Sequence, residues 1–163
     1  MQVNGHGILI IGHPGVGKSS FALELLHHDQ QLIADDIVTF IQKNNHLIGS
    51  CPTMSEGLLH SRELGLISVT QLFGEDAYKP RQQLDYVVEL KKELGNPSNL
   101  STTKHYQINE INIPLLQLSI DTPASLLHRL LTWLAMQADN HDAETSFKQR
   151  QQQQMNSDQQ GDV

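Results

Sequence analysis

The chain is poor in several residue types, and each shortage excludes something. One cysteine, Cys51, stands among 163 residues. No intrachain disulfide can form, which fits a reducing compartment, and nothing near Cys51 suggests an activated nucleophile. Basic residues are few: 11 Lys and Arg against 18 Asp and Glu give a formal charge of −7. With no basic run longer than Lys91-Lys92, a nucleic-acid or anionic-membrane binder is disfavoured. No apolar stretch approaches the ~18 residues of a membrane span, and the first residues do not have the pattern of a secretory signal. A soluble cytoplasmic protein is the expectation. Nine histidines are scattered, without an H-x-x-x-H pair or a Cys/His cluster. His27 and His28 would point about 100° apart on a helix, so zinc-ligand spacing is absent.

What the chain does contain is concentrated near its start. Gly12-His13-Pro14-Gly15-Val16-Gly17-Lys18-Ser19 satisfies G-x-x-x-x-G-K-[ST] at every fixed position. Such a loop turns backbone N–H groups toward a phosphate, and glycines allow the close approach. Lys18 would place an ammonium beside the β- and γ-phosphates, the Ser19 hydroxyl would ligate Mg²⁺, and Ser20 opens the following helix, whose dipole favours the anion. The flanks agree. Ile8-Leu9-Ile10-Ile11 suits a buried parallel strand, and Phe21, Ala22, Leu25 and Leu26 recur at helical spacing.

Further along, residues 31–34 read as a second strand running into Asp35-Asp36. Residues 37–42 and 46–49 flank Lys43-Asn44-Asn45 as a hairpin. Residues 50–63 read as a loop with one helical turn, 66–69 as a strand, 70–74 as a capped turn, and 84–90 as a strand. Residues 96–104 are turn-rich. Segments 106–108, 111–114 and 116–120 suggest further strands. Asp121 and Pro123 predict a helix over residues 123–137 whose leucine stripe covers the sheet. From Lys148 the Gln-rich tail, 148–163, has almost nothing to bury and is expected to be disordered or at most a frayed helix extension. The whole is an α/β domain over residues 1–140 with a mixed β-sheet.

Phosphoryl transfer also needs carboxylates for Mg²⁺ and for the acceptor's proton. Asp35 and Asp36 end the expected second strand, where ligands bind in α/β sheets, and adjacent carboxylates on extended chain point to opposite sides. The blocks at residues 7–19, at Ala22-Leu23-Glu24-Leu25, at Leu32-Ile33-Ala34-Asp35-Asp36-Ile37-Val38, and at 58–69 followed by Leu72-Phe73-Gly74 resemble the catalytic domain of bacterial HPr kinase/phosphorylases. The resemblance implies a fold related to phosphoenolpyruvate carboxykinases and an ATP- and Mg²⁺-dependent serine kinase acting on the phosphocarrier protein HPr. It makes Lys18 the phosphate clamp and Ser19 a metal ligand. Asp35 and Asp36 supply a metal carboxylate and the general base, with Asp35 assigned to the metal. Arg62 becomes a stabiliser of charge on the transferred group, and a homo-hexamer is implied.

The chain departs from that pattern in four places. The amino-terminal domain of full-length members is missing, so the short, catalytic-domain form is expected. His60 stands where the family usually has Glu, and Glu63 where it has Gly. No Pro-Gly-Arg-Asn segment precedes the last helix, which counts against the reverse, phosphorolytic direction more than against the kinase direction. Two other readings follow from the same residues: a non-catalytic ATP-binding regulatory module, and a P-loop kinase acting on another acceptor.

Overall fold

The computed structural model describes residues 1–93, 104–138 and 143–159. In chain order the strands are β1 (Gln2–Val3), β2 (His6–Gly12), β3 (Thr39–Lys43), β4 (His46–Ser50), β5 (Leu58–Ser61), β6 (Gly65–Ser68), β7 (Arg81–Gln83), β8 (Tyr86–Lys91), β9 (Lys104–Ile108) and β10 (Ile111–Ser119). The helices are α1 (Lys18–Leu26), α2 (Val69–Phe73), α3 (Leu126–Ala138) and α4 (Ala143–Gln159). The chain divides into two units, Met1–Leu127 and His128–Val163.

In the first unit the β-branched runs of β2 and β8 and the long β10 pair in parallel at the centre of a five-stranded sheet. Its order is β1-β2-β8-β10-β9, with both edge strands antiparallel to their neighbours. Register places Leu9, Val87 and Leu115 side by side. Val87 belongs to a core cluster with Leu47, Leu84, Ile111 and Ile113, against which Leu9, Leu115, Phe40 and Ile11 pack. Leu47 and Phe40 come from a three-stranded sheet, β3-β4-β7, and so bind the two sheets into one core. A third sheet is the β5-β6 hairpin.

Three hairpins turn on two residues with positive φ: Asn4-Gly5 (48°, 87°), Asn44-Asn45 (47°, 64°) and Asn109-Glu110 (46°, 68°). This is the handed turn that matches strand twist, and Asn tolerates it through local hydrogen bonding. The expected hairpin at 37–49 is present, shifted to Thr39–Lys43 and His46–Ser50.

Several expectations are corrected. Residues 31–34 form no strand; two isolated bridges, Gln2 to Gln31 and Leu32 to Tyr78, hold them. Leu32 and Ile33 are buried, so the apolar signal reflected core packing and not sheet membership. Residues 58–61, read as loop, are β5. Segments 111–114 and 116–120 are one strand through Pro114, which is tolerated because β10 pairs with β8 only from Leu115 onward. Helix α3 begins at Leu126, not at residue 123, directly after Ser125, a residue type suited to capping. Residues 96–103 of the turn-rich segment lie outside the described residues.

In the second unit, the Gln-rich segment is helical to Gln159, with residues 146–154 exposed. Gln, Lys, Arg and Met are good helix formers, which accounts for a helix where a disordered segment or at most a frayed helix extension was expected. Among the described residues, no helix is long and apolar enough to cross a membrane.

Candidate functional site

The loop of residues 12–19 joins the carboxyl end of β2 to the start of α1, in the order strand, glycine loop, helix. Gly12 has no room for a side chain: a Cβ there would sit 2.6 Å from the Leu90 carbonyl oxygen and 2.9 Å from Val16 Cγ1. Val16 is the buried residue of the loop, while His13, Pro14 and Gly15 are exposed, as is Ser20 beyond it. Gly15 and Gly17 take φ of 77° and 104°, and Gly17 is the N-cap of α1. It provides no side-chain cap. The first intrahelical bond is Phe21 N–H to Gly17 O at 2.9 Å. The N–H groups of Lys18, Ser19 and Ser20 therefore have no acceptor within the helix. An uncapped, positively polarised helix start is what an anion requires. Lys18 Nζ lies back along the loop, donating to Gly12 O at 3.1 Å and His13 O at 3.3 Å.

The acid pair comes to this loop from the segment after residue 34. Asp35 Oδ2 accepts the His60 backbone N–H at 2.8 Å, and the Ser19 hydroxyl lies near enough to favour the ionised carboxylate. Burial raises the Asp35 pKa above its ordinary value, and the neighbouring Asp36 charge adds to this. The His60 N–H, the nearby His60 ring and Ser19 oppose the shift. Asp36 is exposed. The Asp35 bond ties the β5-β6 hairpin to the loop, and Arg62, in the turn of that hairpin, completes the approach. Its Nη2 lies 3.2 Å from where a Cβ on Gly15 would be. All the residues singled out in the sequence, from Gly12 to Ser20 with Asp35, Asp36 and Arg62, thus belong to one neighbourhood.

Beside them lies a cavity of about 290 Å³. Lys18, Asp35 and Asp36 are in its wall; Ile33, Val38, Phe40, Gly49 and the edge of β2 form its body, and Gln82 and Gln83 also line it. None of the latter group was foreseen, because only tertiary packing of β3-β4-β7 against β2 creates the space. One signal was available: Gly49 lies within a strand, where glycine marks a close approach.

The donor set fits a nucleotide with a hard divalent cation. The open N–H groups and Lys18 suit phosphate oxygens. Among the described residues, no group of three or more His, Cys, Asp or Glu converges. One carboxylate and one hydroxyl match a Mg²⁺ ion that completes its shell with phosphate and water.

Comparison with known proteins agrees with this geometry. Residues 1–154 match the family described as HPr Serine kinase C-terminal domain. The HPr kinase/phosphorylase of Mycoplasmopsis pulmonis is 33% identical over 157 residues, covering 92% of this chain and 51% of the relative. That of Stenotrophomonas maltophilia is 35% identical over 129 residues, covering 74% and 40%. The chain spans about half the length of the curated relatives it matches. The solved structure of the Hpr(Ser) kinase/phosphatase from Coxiella burnetii superposes with a TM-score of 0.71 at 28% identity, covering 99% of this chain and 94% of that one.

Proposed function

The chain belongs to the HPr Serine kinase C-terminal domain family, and from that premise we propose that it is an ATP- and Mg²⁺-dependent protein serine kinase acting in the cytoplasm on an HPr-like phosphocarrier protein. The observation that carries the reading is the Asp35 carboxylate, which accepts the backbone N–H of His60, on the hairpin bearing Arg62, and lies beside Ser19 of the glycine loop. This supports a site that combines a phosphate cradle, cation ligands and the Arg62 guanidinium over Gly15.

ATP with Mg²⁺ supplies the transferable phosphoryl group and part of its charge neutralisation. The chain's own residues do the rest. Lys18 would exchange its loop carbonyls for phosphate oxygens. Ser19 and Asp35 would hold the cation. Asp36 takes the proton of the incoming serine hydroxyl; supporting this division, Asp35 is half-buried and already engaged by the His60 N–H, whereas Asp36 is exposed. Arg62 lies over Gly15, and its planar, permanently charged fork suits the charge that develops on the transferred group. The kinase direction is favoured over phosphorolysis, since residues 121–125 bring no arginine toward the site. We further propose the phosphoenolpyruvate carboxykinase-type relationship of the fold, and a homo-oligomeric, hexameric assembly.

The test is incubation of the protein with ATP, Mg²⁺ and HPr, with phosphoserine read by mass spectrometry. Phosphoserine that disappears in Asp36→Asn, with nucleotide binding retained, supports the reading. Tight ATP binding without transfer, and indifferent to Asp→Asn changes, would establish the non-catalytic regulator instead.

A further inference from the structure

We propose that the cavity beside the acid pair is a second acceptor site, taking a small alcohol with an apolar body of roughly ten non-hydrogen atoms. The size follows from about 290 Å³ of space at ~30 Å³ per water-sized unit. A volume of this kind, with largely apolar walls and a few polar groups, among them Lys18, Asp35 and Asp36, is the usual form of a small-molecule site.

Its position selects the acceptor over the nucleotide. Lys18, Asp35 and Asp36 line it, while the outward loop residues His13, Pro14 and Gly15 do not. It therefore adjoins the carboxylates on the inner side of the loop. A small molecule can fill the recess walled by Ile33, Val38 and Phe40 more completely than a serine carried on a convex protein surface. Gly49 is an independent sign that this space is kept. Its φ lies outside the positive region, so its backbone does not require glycine, yet a Cβ would stand 3.1 Å from Phe40 Cε1 and 3.4 Å from Val38 Cγ1. A Cβ there would crowd the Phe40 ring by a few tenths of an ångström and stand in contact with Val38.

The step rests on the nucleotide reading above. The alcohol oxygen bonds to the γ-phosphorus of the nucleoside triphosphate as the β,γ-bridging P–O bond breaks. The electron pair of that bond leaves with the nucleoside diphosphate, and the hydroxyl proton goes to the Asp36 carboxylate, giving an alkyl phosphate.

The probe is 2-phenylethanol, its binding followed by saturation-transfer NMR and its phosphoester by ³¹P NMR with ATP and Mg²⁺. Binding of a fluorescent ATP analogue is measured in parallel. Saturable binding and a phosphoester product are expected, both reduced at least tenfold in Val38→Phe, with analogue binding unchanged. Phe40→Leu, a smaller change of the same wall, serves if Val38→Phe does not fold. No alcohol binding with normal analogue binding overturns this proposal alone, as does binding without product. Loss of carrier-protein phosphorylation in Val38→Phe without alcohol binding would give the cavity to a protein segment and overturn it too. Failure of the unmodified protein to bind the analogue would overturn the nucleotide reading, and the acceptor role with it.

Discussion

The two ends of β2 use the same backbone conformation for opposite purposes. Before the strand, Asn4 and Gly5 turn at φ of 48° and 87°; after it, Gly12, Gly15 and Gly17 turn at 148°, 77° and 104°. At the first end the donors are consumed. Asn4 N–H goes to Gln30 Oε1 at 2.8 Å, Gly7 N–H to Asp85 Oδ2 at 2.8 Å, and Ile8 N–H to the Met1 carbonyl at 2.9 Å. At the second end a glycine cap leaves the first three helical N–H groups without intrahelical partners. Positive φ therefore does not distinguish the two ends; the fate of the N–H groups does. Satisfied donors contribute to the stability of the fold, and open ones are what a phosphate bound at this end would use.

The sharpest break between the two ends should come from Lys18→Ala. Lys18 is partly exposed, and its bonds to loop carbonyls are replaceable by water. Phosphoryl transfer should fall by about 10³-fold, on the order of 4 kcal/mol in the barrier, while the thermal midpoint shifts little. An unfolded variant would show that this end also carries stability.

Gly7→Ala tests the opposite end. A Cβ on Gly7 would lie 1.8 Å from the Gln83 carbonyl oxygen, so β7 must move away from β2. A loss of roughly 3 kcal/mol is expected in urea unfolding, large enough to deplete the folded state of a marginal domain. Any protein that remains folded should still bind nucleotide.

This asymmetry also explains what the sequence revealed. The glycine loop was legible because its chemistry fixes residue types at fixed spacing, and strand and helix periodicity flank it on both sides. Asp35 and Asp36 were legible as carboxylates, but their support was not: Leu32 and Ile33 are apolar for burial, and a strand-like run of four residues carries no information on whether a partner strand exists. The β5-β6 hairpin was half legible: residues 66–69 read as a strand, close to β6, but β5 was missed because its four residues mix exposed with buried positions. Gly65, at φ 80° just after the Arg62 turn, was the available clue. Close approaches such as Gly7 to Gln83, and the cavity itself, depend on which strands meet. No local pattern encodes that.

A subtler difference between the ends concerns pH. Asp35 has a raised pKa because folding buries it. The folded protein then binds the proton more tightly than the unfolded chain does. Stability contributed by this group is highest below the ordinary carboxylate value, about 3.9, and declines as pH rises through the window between that value and the raised one. Asp35→Asn removes this decline and keeps an oxygen to accept the His60 N–H. Its stability relative to the unmodified protein should thus rise across that window and remain higher at neutral pH, while transfer is lost. Denaturation at several pH values checks the sign: a relative stability that falls with pH would show that the carboxylate is favoured in the folded state. At the other end the Asp85 carboxylate accepts Gly7 N–H and the Gln83 amide.

The smallest effect is expected where a turn has an unsuitable residue. Glu110 takes φ of 68° in the β9-β10 hairpin, without the short polar side chain that lets Asn tolerate this region. The penalty for such a residue is ~1–2 kcal/mol, against which glycine adds ~0.5–1 kcal/mol of unfolded-state entropy. Glu110→Gly should therefore stabilise the protein by about 0.5 kcal/mol, seen as a small rise in the urea midpoint with unchanged slope. Nucleotide binding and transfer should be unaltered, because Glu110 stands at the amino end of β10 and the glycine loop adjoins the carboxyl ends of β2 and β8. If the substitution instead changed transfer while leaving stability fixed, turns and loop would be energetically coupled through the sheet, and the separation of stability from chemistry along β2 would fail.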